Sequence, residues 1–100
     1  MSPENSAPTS ILAAEYLAAE LERLMALPLG TPAEVEQWYA EAGLLEDALE
    51  GRFSSFPVEH EVWHFLSDAD VRSRDAGYRD RQHRLMSEYV HRLRTLTANP

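Results

Sequence analysis

The run His60-Glu61-Val62-Trp63-His64 is where this sequence comes nearest to a reactive arrangement. Histidines four positions apart lie one turn apart on a helix, so their ring nitrogens can meet one cation. A glutamate between them falls on a neighbouring face, where its carboxylate can take a proton from a metal-bound water. On this reading His60 and His64 are ligands and Glu61 is the general base. Asp68, one turn further along the same face, is the third ligand. The chemistry would be zinc-dependent hydrolysis. The pairs Glu61-x-x-His64 and Glu88-x-x-His91 have the spacing by which helical bundles hold two metals, with Glu15, Glu22 or Glu36 to complete the set.

The five-residue run resembles the signature of the zincin metalloproteases. That resemblance implies a zinc cofactor and the roles just given. The family sets its metal helix beside a sheet edge, and no alternating, strand-like segment is present here. Periodicity puts Val62 and Leu66 at the centre of the buried stripe, roughly 160° around the helix from both histidines. The expectation is therefore two imidazoles on a solvated face, with no cofactor. His91 also points away from the apolar side of its helix. Arg84, Glu88 and Arg92 are read as an exposed ladder of i,i+4 pairs instead.

Positioning these residues falls to helices. Ser10 is placed to cap a first helix from Ile11 to Leu27, which Pro28 and Gly30 stop. Thr31-Pro32-Ala33-Glu34 is a capping box that opens a second helix. Val35, Trp38, Ala42, Leu45 and Leu49 repeat along it, and Gly43 is expected to break it after Ala42. Arg52 to Phe56 reads as a loop, and Pro57 as the start of a third helix. Ser67-Asp68-Ala69-Asp70 predicts a bend or a new start. A last helix reaches Leu96, with Tyr78, Leu85, Tyr89, Leu93 and Leu96 marking its buried face. The fold class is all-α: a compact antiparallel bundle of about four helices. Residues 1–9 are expected to be a disordered leader, 10–96 a single helical domain, and 97–100 a loose tail.

Composition narrows the function classes. The 100 residues include no cysteine, which excludes disulfides and thiolate metal sites. No apolar run approaches the ~20 residues that span a bilayer, and the N-terminus lacks the pattern of a secretory signal. The expected place is the cytoplasm. The net charge of −8 repels nucleic acid and anionic membranes. Charge is unevenly spread, however. Residues 1–66 hold two arginines against twelve acids, a balance of −10, and residues 67–100 hold seven against five, a balance of +2. The arginine-rich stretch is expected to pair with the protein's own acidic helices or with an acidic partner.

Four short helices cannot hide every aromatic. Tyr39, Phe53, Phe56 and Trp63 are the expected exposed patch. The function expected from these features is a small acidic interaction or regulatory module without catalysis, binding a protein partner or itself as a homo-oligomer. The metal-binding or zinc-hydrolase reading is the first alternative. An acidic decoy of a nucleic-acid-binding protein is the second.

Overall fold

A computed structural model describes residues 9–98 of the chain. Five helices follow one another: α1 Thr9–Ala26, α2 Pro32–Glu50, α3 His60–Ser67, α4 Ala69–Arg74 and α5 Ala76–Ala98. There is no strand among the described residues, so the all-α expectation holds. Residues 1–8 of the expected leader lie outside the described residues, as do 99–100 of the expected tail. Thr9 and Ser10 are already inside α1, so Ser10 is not its cap. α5 runs through Thr97 to Ala98.

The spine of the molecule is α1 against α5. Ala13, Ala14, Leu17, Ala18, Leu21 and Leu24 are all buried, at spacings of three and four. The alanines let α5 approach closely, and the leucines fill the seam. Glu22 pairs with Arg94 and Met25 meets Ser87, so the two helices run antiparallel. α1 ends before Pro28, whose ring disfavours helical backbone in Leu27. Its end is closed from outside: the Trp38 indole N–H donates to the Leu24 carbonyl at 2.8 Å. That carbonyl, whose usual partner four residues on would be Pro28 with no N–H, otherwise meets only the Leu27 amide at 3.3 Å.

The capping box at α2 is present. The Glu34 amide donates to Thr31 Oγ1 at 3.1 Å, and Glu34 Oε1 accepts from the amides of Gly30 and Thr31. The predicted break at Gly43 does not occur. No glycine takes the left-handed conformation that a break there would use, and Leu44 stays outside rather than folding back. Trp38, Ala42, Leu45 and Leu49 form one continuous buried stripe, and packing along it carries the helix through the glycine. Gly51 then turns the chain close against α2. A Cβ there would stand 3.0 Å from the Asp47 carbonyl, which is why this turn takes a glycine.

α3 starts at His60 and not at Pro57. Glu59 is extended, with φ −65° and ψ 147°, and its carboxylate reaches across to Arg92 at 2.8 Å. The extended lead-in also presses Val58 against the core. Tertiary contact has overridden the local start signal of the proline. The predicted bend at Ser67-Asp68 is real and produces the six residues of α4. Asp75 caps α5, its carboxylate accepting from the Tyr78 amide at 3.0 Å.

The buried face of α5 is Gln82, Met86, Tyr89, Val90 and Leu93. Leu85 and Leu96, placed in the core by their spacing, are 43% and 58% exposed. The helix is turned by a fraction of a turn from the expected register, because a polar residue, Gln82, occupies an inward position.

Candidate functional site

α3 buries Val62, Phe65 and Leu66 and leaves His60 and His64 exposed, as the periodicity requires. The two rings are not independent. Their Nε2 atoms stand 2.9 Å apart, with the planes at 89°. One nitrogen donates its proton to the lone pair of the other. Glu61 is exposed on the adjacent face.

Asp68 is not brought to this pair. It follows the last residue of α3, where φ −114° and ψ 23° take the chain out of the helix. Its carboxylate is held by α5: the Tyr78 hydroxyl donates to Oδ2 at 2.5 Å and Gln82 Nε2 at 3.3 Å. That bond pushes the Tyr78 hydroxyl pKa up. Among the described residues, no three His, Asp or Glu side chains gather as a metal-binding set. The three-ligand arrangement of His60, His64 and Asp68 is thus not assembled, and neither is the two-metal one. Glu22, offered for the latter, is taken by Arg94. The arginine ladder is likewise redirected, since Arg92 turns to Glu59.

The surface beside the histidines is concave. A groove runs between α3, with its lead-in, and α5. One end, of about 320 Å³, is lined by Glu61, His64, Tyr78, Arg81, Leu85 and Met86 among others. The other end, of about 340 Å³, is lined by Phe56, Pro57, Tyr89, Leu93 and Leu96 with Glu59 and Arg92. A smaller hollow of about 160 Å³ shares Glu61, Leu85 and Met86 with the first and Glu59, Tyr89 and Arg92 with the second. The three adjoin as one trough, largely apolar at its two ends and charged in the middle, where Glu59 bonds Arg92.

Of the aromatic patch expected of Tyr39, Phe53, Phe56 and Trp63, Phe53 is buried and the other three are partly exposed. Phe53 is in the core, its ring 5.3 Å from that of Tyr16, with Arg52 over both. Tyr39 clasps α2 to α4: its hydroxyl lies 2.8 Å from Asp70 Oδ1 and accepts from the Asp70 amide at 3.2 Å. Burial raises the Tyr39 hydroxyl, and the same bond holds the Asp70 carboxyl below its usual range. Phe56 and Trp63 are half-buried. The strongly exposed apolar side chains are instead Leu12, Leu44, Leu85 and Leu96.

One polar group escaped the sequence reading. Arg72, 1% exposed, lies in the core with no carboxylate bonded to it. Its guanidinium lies over both Trp38 and Phe65, 4.6 and 4.1 Å from the ring centres, the two rings meeting each other edge to face. Nη1 donates to the Phe65 carbonyl at 2.7 Å and to Gln82 Oε1 at 2.6 Å. Nε and Nη2 are buried with no hydrogen-bond partner. Burial pulls the group down to about 10. A signal was present: Val62, Phe65, Leu66, Ala69 and Arg72 continue one apolar period across the bend at Asp68. His83, beside Phe65, is likewise pulled down, first by burial and then by the Arg72 charge.

No helix among the described residues is long and apolar enough to cross a membrane. Comparison with protein-family models, with curated proteins and with solved structures finds nothing that matches this chain.

Proposed function

We propose that the chain is a protein-interaction module whose trough between α3 and α5 receives an acidic, leucine-bearing helix, the occupant being α2 of a second copy. The observation that carries this reading is the trough itself: two apolar-lined ends, with the exposed Leu85 and Leu96 among their lining, joined by a charged middle, a surface of the kind that receives an amphipathic helix. Charge complementarity at the His64 end of the trough selects the occupant. There α5 contributes Arg81 and Arg84 against Glu61 alone, whereas Arg92 further along is engaged by Glu59. α2 contains no basic residue and presents Glu36, Asp47 and Glu50 around Leu44, which is 60% exposed. Its last turn adds Glu46, whose carboxyl is raised by burial and by Glu50 and Asp47. Acids at a helix C-terminus oppose the helix dipole and gain from an outside cation.

Such a contact pairs two different surfaces. It closes as a two-fold pair if each copy's trough takes the other's α2, and otherwise forms a ring or extends. The net charge of each copy opposes approach at low salt, and about 0.15 M salt, with a screening length of about 8 Å, removes most of that repulsion. Sedimentation equilibrium at this salt should give a mass above the monomer that rises with concentration. Leu85→Glu and Leu44→Glu should each return it to the monomer without loss of helicity. A monomer at every concentration and salt would refute the reading.

A further inference from the structure

We infer that His60 and His64 form a two-point site for a divalent ion that takes its ligands at right angles, of the copper(II) or nickel(II) class. The argument is one of bite. Two nitrogens bound at right angles through bonds of about 2.0–2.1 Å stand about 2.9 Å apart, and at the tetrahedral angle about 3.4 Å. The Nε2 atoms of His60 and His64 stand 2.9 Å apart. The helix raises both side chains from one face a single turn apart, and their torsions bring the nitrogens to that spacing. Both rings are exposed, so small rotations aim both lone pairs at one ion without moving the backbone. The ion takes the place of the proton the pair now shares.

The surroundings define what kind of site this is. Among the described residues no third imidazole or carboxylate gathers with the pair, so water fills the remaining positions. Asp68 is held away by Tyr78 and Gln82. Of the two glutamates that flank His60, Glu59 is engaged by Arg92 and Glu61 lies on the next face. Arg81 and Arg84, which share the end of the trough with His64, oppose a dication. The site is therefore open and moderate in strength, and unlike a closed structural zinc centre. It does not depend on the trough being occupied by a protein.

The test uses the full-length, untagged chain titrated with copper(II) chloride. One equivalent should bind, with electron paramagnetic resonance showing coupling to two nitrogens. His60→Gln and His64→Gln should each weaken that binding about tenfold or more, since each removes half of a chelate. His91→Gln, on the far side of α5, should leave it unchanged. Far-UV circular dichroism establishes that the variants fold, as expected for exposed positions. Cobalt(II) reports the angle: weak visible bands signify right-angle coordination and intense ones tetrahedral. Failure to bind copper(II), binding that survives both His60→Gln and His64→Gln, or intense cobalt bands lost on His64→Gln would each overturn the inference.

Discussion

Gln82→Met should cost the fold about 3 kcal/mol in the natural chain and close to nothing in an Arg72→Met background. Arg72 is a charge taken out of water, and its depression to about 10, the net of burial against the opposing pull of Tyr39, Asp68, Tyr78 and Asp70, corresponds to about 3 kcal/mol at roughly 1.4 kcal/mol per unit. Against that stand two short bonds from Nη1 and two aromatic faces. A hydrogen bond to a charged group contributes about 1.5–3 kcal/mol, and each ring about 1. Gln82→Met keeps the volume and removes one of the two bonds. The guanidinium, with two nitrogens already unpaired, then depends on the Phe65 carbonyl alone. With methionine at 72 the charge is gone and the sulfur still contacts both rings. Gln82 then has nothing to satisfy on that side. Its weaker bonds to Tyr78 and Asp68 are present in both backgrounds and cancel from the cycle. Urea unfolding followed by circular dichroism measures all four free energies. A coupling below about 0.5 kcal/mol would mean the two residues act independently and would refute this account of the core.

Other expectations concern single positions. Gly43→Ala should stabilise by about 0.5–1 kcal/mol, since a Cβ there meets nothing within 4 Å and the helix is continuous; a loss in thermal unfolding would contradict this. Thr31→Ala should cost about 1 kcal/mol by removing the α2 cap, and an unchanged urea midpoint would show that the box contributes nothing. The lowered Asp70 carboxyl implies stability that is present above the ordinary carboxylate range and lost as pH falls through its folded value. Tyr39→Phe should therefore flatten the acid limb of the stability profile, and an unaltered limb would dismiss the Tyr39–Asp70 bond. His83 works in the same direction at milder acidity: its neutral form is favoured in the fold, so stability declines as pH drops below the ordinary histidine range, and His83→Gln should remove that slope.

The architecture was legible where local chemistry decides. The capping box, the stop at Pro28 and the stripe from Trp38 to Leu49 all appear where the residues put them. The errors share one cause, which is long-range satisfaction of local signals. Gly43 looked like a terminus because nothing in the sequence shows how much apolar surface holds α2 together on either side of it. Pro57 looked like a start because the reach of Glu59 to Arg92 is invisible along the chain. The face of α5 was misjudged because an apolar count gives Gln82 no weight, whereas the structure turns the helix to supply Arg72. The candidate site divided similarly. Exposure of His60 and His64 followed from periodicity alone. That their nitrogens touch, and that Asp68 belongs to Tyr78, depends on side-chain torsions and on a bend whose direction no residue type specifies.

α4 has a consequence for motion. It is six residues long, and the side-chain bonds that fasten its length are polar: Asp70 to Tyr39 and Arg72 to Gln82, with Asp68 tied to Tyr78 at its entrance. Polar clasps are exchanged for water at little net cost, unlike the leucine seam of α1 and α5. Backbone amides of α4 should thus trade hydrogen for deuterium through a partial opening well below the global unfolding energy, while those around Leu17 and Met86 wait for complete unfolding. Each such opening would hydrate Arg72 and uncover the indole of Trp38, giving the molecule a second, looser state at the end where Tyr78 meets the trough.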